Sequence, residues 1–316
     1  MSSADRTVAG VPYLAGPAGD YLSELERRAR GEVRHVPTGL TDLDAQCQGM
    51  LWPGNLVVAA GRPGAGKTTL LQQIIEHAAA AGVVTLIITL EMSHPELLER
   101  AISRRSGIPV ARLRLARNLA QEDYTAIIDA LREIQPLPVL VSTARTLKEI
   151  VARTRAVVAE LRQAGSSLGL VALDYIQLVD GRGGGTGDRV QEVSLVTRTL
   201  KLLAGEIAAP VIAISQLNRS LEQRPNKRPI LSDLRESGSI EQDADVVLFI
   251  YRDEVYNEDS QDKGTAELII AKNRHGETGT TRVAFLPDRL MFADLDYRDQ
   301  ATAPPDRRRV GHGCPF

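Results

Sequence analysis

The sequence predicts an α/β fold: a doubly wound, mainly parallel sheet, extended at one edge by strands from the last quarter of the chain. Three observations carry that reading. Short apolar runs recur without alternation of polar and apolar residues, as strands buried on both faces require. Helical patterns separate the runs, the order from which parallel sheets are built. A glycine-rich loop joins the first run to the first of those helices, which puts backbone N–H groups at a helix start.

Residues 1–19 are rich in Gly, Pro, Ala and Ser and read as unstructured. Tyr21 to Gly31 (YLSELERRARG) has the spacing of a short helix closed by its glycine. The first buried strand is Leu56 to Ala60 (LVVAA), and the helix after its loop runs from Lys67 to Ala81. Val83 to Thr89 (VVTLIIT), Val139 to Ser142, Leu170 to Asp174 (LVALD) and Val211 to Ser215 (VIAIS) repeat the strand pattern. Ser93 with Glu96 forms a capping box that opens a helix to Ser106. Thr146 with Glu149 forms another, opening a helix to about Gln163. Val190 to Ile207 is a further helix. Past Asp245 the pattern changes: Val246 to Tyr251, Ala266 to Ala271, Thr281 to Phe285 and Leu290 to Phe292 are β-like and closely spaced. They read as extra strands on one edge of the sheet. Arg298 to Phe316, with Pro304, Pro305 and three consecutive arginines from Arg307, reads as a flexible tail. The expected organisation is therefore a flexible segment over 1–31 with a short linker helix, one domain over 32–297, and a tail over 298–316.

Composition narrows the function classes. A chain that is 43% hydrophobic and 25% charged has the balance of a soluble globular protein. With aromatics at 4%, its core must be Leu, Ile, Val and Ala. A net charge of -2 excludes a globally basic nucleic-acid binder but leaves room for a local basic groove. Cys47 and Cys314 lie far apart, without metal-ligand spacing or a disulfide framework, and read as reduced thiols. No signal-peptide core and no membrane-length apolar run is present, so the expected location is the cytoplasm, with no membrane partner.

The chemistry concentrates in one loop. Gly61-Arg62-Pro63-Gly64-Ala65-Gly66-Lys67-Thr68 matches the phosphate-binding pattern in full, and Thr69 continues into the helix. Its glycines let successive N–H groups turn inward on phosphates, and the helix adds its positive end. Lys67 can reach the β and γ phosphates of a nucleoside triphosphate. The Thr68 hydroxyl can ligate magnesium. Asp174, at the carboxyl end of the run LVALD, stands where ligands bind in open α/β sheets and can hold a water on that ion. Glu91, in Thr89-Leu-Glu-Met92, follows the next strand; it is either a base or water-orienting group or a surface glutamate favoured by the coming helix dipole. Gln216 and Asn218 follow VIAIS and either sense the γ-phosphate or supply ordinary loop polarity. Arg219, Arg224, Lys227, Arg228 and Arg235 cluster about a Pro-rich loop, which is a phosphate-backbone surface or a solvated basic loop. Lys272 and Arg274 follow the run AELIIA, where they could serve as a finger on a neighbouring subunit's phosphate.

Taken together, the segments PTGLTDLD, GRPGAGKT, TLEM, LDYIQL, EVSLVTRTLKLLA, PVIAISQLNR, DLRESGSIEQDADVV and AKNRHGETG resemble the C-terminal motor domain of DnaB-type replicative helicases, over roughly Val36 to Leu295. DLRESGSIEQDAD is the most specific of them. The resemblance implies a RecA-like fold, a homohexameric ring around single-stranded DNA, and ATP with magnesium bound between subunits. It implies ATP hydrolysis coupled to movement on the strand, in the five-prime to three-prime direction, and duplex unwinding in DNA replication. Residue by residue, Lys67 and Thr68 match the phosphate loop and Glu91 the catalytic glutamate. Asp174 matches the second metal anchor and Gln216 the γ-phosphate-sensing glutamine. Arg235, Glu236 and Gly238 match the loop that contacts DNA phosphates, and Lys272 and Arg274 the basic pair that reaches the neighbour's nucleotide. The family's partners include primase and a helicase loader. The family normally carries an N-terminal helical collar ahead of this motor, whereas here only residues 1–31 precede it. Glu277 stands where the family usually has proline. The Gly-rich stretch Gly181 to Asp188 reads as a DNA-facing loop. A second reading is a RadA-like, DNA-stimulated ATPase or recombination factor without strand separation, against which DLRESGSIEQDAD weighs. A third is a regulator that enters another helicase's hexamer.

Overall fold

A computed structural model describes residues 7–8, 11–12, 18–31, 35–181, 189–234 and 238–295. The expected tail, Cys314, Arg235, Glu236 and most of the Gly181–Asp188 loop lie outside the described residues. The nine strands of the main sheet are, in chain order, β1 (Leu56–Gly61), β2 (Val84–Thr89), β3 (Val139–Ser142), β4 (Leu168–Asp174), β5 (Val211–Gln216), β6 (Val246–Tyr251), β7 (Thr265–Asn273), β8 (Gly279–Leu286) and β9 (Met291–Asp294). The helices are α1 (Ala18–Ala29), α2 (Thr41–Cys47), α3 (Lys67–Ala80), α4 (His94–Ser106), α5 (Val110–Leu115), α6 (Gln121–Ile134), α7 (Leu147–Gln163), α8 (Arg189–Ile207) and α9 (Gly238–Asp243). Thr7–Val8 and Val11–Pro12 form a separate antiparallel pair.

Across the sheet the strands run β9-β8-β7-β6-β1-β5-β4-β2-β3. From β3 to β6 every pairing is parallel; from β6 to β9 every pairing is antiparallel. One expectation is corrected here. Val246–Tyr251 is not an edge strand but the last parallel one, paired with β1 through Val57 and Val246, and buried along its whole length. Its unalternating sequence, VVLFIY, already belongs with the buried strands. β7 and β8 alternate buried and partly exposed residues, as one-sided antiparallel strands do.

The pleat of β1 explains why its sequence does not alternate. Val57 and Ala59 face one core with Leu70, Leu71 and Ile74 of α3, while Leu56, Val58 and Ala60 face the other with Val196, Leu200 and Leu203 of α8. Both faces are dry, so both must be apolar. The two capping boxes form as read: the Ser93 N–H donates to Glu96 at 2.9 Å and the Glu149 N–H to the Thr146 hydroxyl at 3.2 Å. α2, α5 and α6 are not among the helices expected from the sequence. α2 and α5 are short, and α6 starts after Ala120, which offers no side-chain cap, and buries only Ala130 fully. Among the described residues no helix is long and apolar enough to cross a membrane.

A candidate nucleotide cleft at the strand ends

The phosphate loop spans the gap between the last residue of β1 and the first of α3. Gly64 and Gly66 take positive φ, 79° and 101°, a backbone that side-chain-bearing residues rarely adopt. Gly66 is also packed from behind: a Cβ there would lie 2.7 Å from Cζ of Phe292 on β9. β9 is pinned to α3 by the Gln73 carboxamide, which donates to the Phe292 carbonyl at 2.8 Å and accepts from its N–H at 2.9 Å. Lys67 folds into the loop and donates to the Arg62 carbonyl at 3.0 Å. Burial draws its ammonium down to about 8, with Asp174 and Glu91 opposing the shift and Arg62 adding to it. The Arg62 side chain turns out of the cleft, to the Leu217 carbonyl at 3.0 Å and to Glu222.

Asp174 ends β4 directly across from this loop. The Thr68 hydroxyl donates to Asp174 Oδ2 at 2.8 Å. Asp174 Oδ1 is buried and has no hydrogen-bond partner. Burial raises the carboxyl above its ordinary range; Thr68, Lys67 and Arg100 pull it down and Glu91 pushes it further up. The neighbouring strand end brings Glu91 alongside. The Leu90 N–H donates to the Asp174 carbonyl at 2.9 Å, and the Thr89 hydroxyl closes the turn by donating to the Met92 carbonyl at 2.9 Å. Glu91 is left exposed on the rim of the cleft, where its charge is felt by Lys67, Asp174 and Tyr175.

These residues share one cleft of about 320 Å³, lined by Gly64, Lys67, Thr68, Glu91, Asp174 and Gln216 among others. Gln216, the last residue of β5, lies where the sequence reading expected it. Asn218 does not join: its side chain accepts from the Ser220 N–H at 3.1 Å and caps a short 3-10 turn. Arg100, Tyr175, Phe285 and Leu290 also line the cleft and were not anticipated. Arg100 carried a readable signal. It stands on α4 between Leu97 and Ala101, both buried, a place where a charged residue must find a polar outlet. Phe285 and Leu290 come from β8 and the turn after it, so only the fold brings them near.

The remaining candidates lie apart. Arg224 is paired with Asp233 at 2.6 Å and Arg228 with Glu267 at 2.5 Å, so these two cations of the basic loop are already engaged. Lys272 donates to the Ala244 carbonyl at 2.7 Å and to that of Glu241; Arg274 donates to the Gln242 carbonyl and to Asp245 Oδ1 at 3.4 Å. Both thus sit on the carboxyl end of α9, whose first residue is Gly238. Asp245 is nearly fully buried, accepts from the Leu56 N–H at 2.7 Å, and pairs with Lys201 at 2.7 Å. Leu56 is the first residue of β1 and Gly61 its last, so Arg274 stands at the opposite end of that strand from its own phosphate loop. At about 3.3 Å per residue the separation is roughly 16 Å.

The family model of the DnaB-like helicase C-terminal domain matches residues 35–294. The chain belongs to this family. The replicative DNA helicase DnaB of Geobacillus stearothermophilus is 40% identical over 288 residues, which are 90% of this chain and 62% of that protein. The replicative DNA helicase DnaC of Bacillus subtilis (strain 168) is 38% identical, with the same coverage. The chain therefore spans less than two thirds of the length of these curated relatives. Among solved structures, one ATPase domain superposes with a TM-score of 0.82 at 34% identity, covering 89% of this chain and 99% of that one. A DnaB-like replicative helicase, solved in a study of its interactions with primase, superposes with a TM-score of 0.81 at 33% identity, covering 93% and 69%. The architecture of this DnaB-like domain is the RecA-like α/β fold expected from its sequence.

Proposed function

We propose that this DnaB-like domain is an ATP-driven motor that moves on single-stranded DNA and separates duplexes in replication, assembled as a hexameric ring. The observation that carries the reading is the convergence of Lys67, Thr68, Asp174, Glu91 and Gln216 on one cleft at the carboxyl ends of four adjacent strands or the loops that follow them. Backbone N–H groups of the loop through Gly64 and Gly66, with the start of α3, receive the phosphates of ATP. Lys67, loosely held on a carbonyl, exchanges that contact for phosphate oxygens, and Arg100 adds a second positive charge to the cleft. The unpartnered Oδ1 of Asp174 and the Thr68 hydroxyl fit the all-oxygen preference of magnesium. When bound, the ion would supply positive charge to offset the charge of the phosphates. Glu91 takes the proton of the attacking water, and Gln216 senses the γ-phosphate.

The reading is completed by a neighbour. Arg274 stands too far from its own phosphate loop to serve it, which supports its role on the next subunit's nucleotide, with Lys272 beside it. Arg235, Glu236 and Gly238 form the proposed contact with DNA phosphates. They precede or begin α9, and Lys272 and Arg274 rest on that helix's far end, so strand contact and finger meet in one short element. Primase and a loader remain proposed partners, and the cytoplasm the proposed location. The boundaries 1–31, 32–297 and 298–316 are retained as the proposed organisation.

The test is a forked-duplex unwinding assay with and without ATP and magnesium, run beside sedimentation. The expected result is ATP-dependent strand separation by a hexamer. ATP hydrolysis that DNA stimulates, without strand separation at any protein concentration, would move the reading to the RadA-like class.

A further inference from the structure

We infer that Gln177 is a positioning residue for Gln216, the amide that carries the γ-phosphate's presence into the end of the sheet. The inference rests on the reading of Gln216 as the γ-phosphate sensor.

The pairing of β4 with β5 stops early. It joins Val171 to Val211, Ala172 to Ile212 and Leu173 to Ala213, and goes no further. Beyond Asp174 the chain leaves the sheet as a 3-10 turn, Ile176–Leu178. On its other side β5 remains paired with β1 up to Gln216 and Gly61. The last three residues of β5, Ile214, Ser215 and Gln216, therefore have no strand neighbour on the Asp174 side, just where β5 enters the cleft. A backbone N–H left so would be an unpaired donor in a partly buried place.

Gln177 fills the missing rung. Its Oε1 accepts from the Gln216 N–H at 3.1 Å, and its Nε2 donates to the buried Ser215 hydroxyl at 2.9 Å. The carboxamide uses its acceptor and its donor at once, in the manner of a peptide group in a ladder. Gln177 is itself held: its carbonyl accepts from Arg189, the first residue of α8, which also pairs with Glu192. One side chain thus ties the strand end bearing Gln216 to the segment that follows Asp174. Neither contact leaves Gln177 facing a phosphate, so it acts through Gln216. A sensor must hold its amide within a fraction of an ångström of the reacting group, and a misplacement near 1 Å can cost about a hundredfold in rate.

The test compares four variants of the full chain: Gln177→Leu, which keeps bulk and removes both hydrogen bonds, Ser215→Ala, which removes one, Gln216→Ala, and the double variant Gln177→Leu with Gln216→Ala. Turnover at saturating ATP is read beside the affinity for a fluorescent non-hydrolysable ATP analogue and a thermal melt. Gln177→Leu is expected to lose about ten- to a hundredfold in kcat while analogue affinity stays within about threefold of the parent. The double variant is expected to be no slower than Gln216→Ala alone, because the two side chains act in series. Ser215→Ala, with one contact left, is expected to lose less than Gln177→Leu, and it serves as the test if that variant melts early. Losses that multiply in the double variant, or parent-like turnover in both Gln177→Leu and Ser215→Ala beside an impaired Gln216→Ala, would overturn the positioning role and leave the sensor standing. Parent-like turnover in Gln216→Ala would overturn the sensor reading itself, and the inference with it.

Discussion

The Thr68 hydroxyl donates a hydrogen bond to Asp174 across 106 residues of sequence, at 2.8 Å, and leaves the other carboxylate oxygen buried without a partner. An orphaned buried carboxylate oxygen is costly unless something occupies it for part of the working cycle. Asp174→Asn replaces an oxygen with an amide that would face a cation. The expected outcome is a loss of magnesium-dependent ATP turnover by about a hundredfold or more, in a protein that melts at or above the parent temperature, since a desolvated charge has been removed. Steady-state hydrolysis across a magnesium titration reads this out; parent-like turnover at any magnesium concentration would remove Asp174 from the site.

Glu91 stands on the rim beside Asp174, on a turn closed by Thr89 and Met92. Glu91→Gln keeps the shape and removes only the basic oxygen. It is expected to bind ATP as the parent does and to lose about two to four powers of ten in turnover. Hydrolysis within about threefold of the parent would make Glu91 no more than a residue placed ahead of a helix start.

Gly66 has two reasons to be glycine, and they are independent. Its φ of 101° disfavours any side chain, and Cζ of Phe292 occupies the space 2.7 Å from where a Cβ would be. Phe292 is fully buried and tilted against Phe285, with ring centroids 4.9 Å apart, so it cannot swing aside. Gly66→Ala must therefore shift the loop. We expect nucleotide affinity to fall by about tenfold or more and the melting temperature to drop, from a backbone cost of about 1–2 kcal/mol before any clash. Analogue binding by fluorescence checks the first and a thermal melt the second.

Much of this was legible in the sequence because local rules acted alone. The phosphate loop, the strand ends at Asp174 and Gln216, and the two capping boxes at Ser93 and Thr146 depend on residues within a few positions of one another. The parts that were missed depend on long-range pairing. Val246–Tyr251 reads as a strand in isolation, but its parallel seat beside β1 follows from topology. Phe285 and Leu290 enter the cleft only because the antiparallel strands fold back beneath the phosphate loop. Arg224 and Arg228 belong to a basic loop in the sequence, and their partners Asp233 and Glu267 are brought to them only by the fold. Gln177 shows no motif beyond its family segment; its role appears once β4 and β5 part.

Arg274 tests the assembly as well as the chemistry. Its backbone N–H donates to the Asp245 carbonyl at 2.9 Å, and the Asp245 carboxylate accepts from Leu56 at the start of β1. Its own phosphate loop lies beyond the far end of that strand, roughly 16 Å away, more than an arginine side chain spans. This supports the proposed site shared with a neighbour, and an arginine supplied in trans is worth about three to five powers of ten in turnover. Hydrolysis per subunit should then rise with protein concentration until rings form. Arg274→Ala should bind ATP and fail to hydrolyse it. Lys67→Ala should fail too, for loss of a charge-assisted phosphate contact that no neutral side chain replaces. Mixed, the two inactive variants should regain part of the parent activity, because some interfaces pair an intact loop on one subunit with an intact arginine on the next. A site completed within one subunit cannot be rescued in this way. If the two variants co-sediment as rings and the mixture stays inactive at every ratio, the shared site is wrong, and Arg274 does no more than close the end of α9 in its own chain.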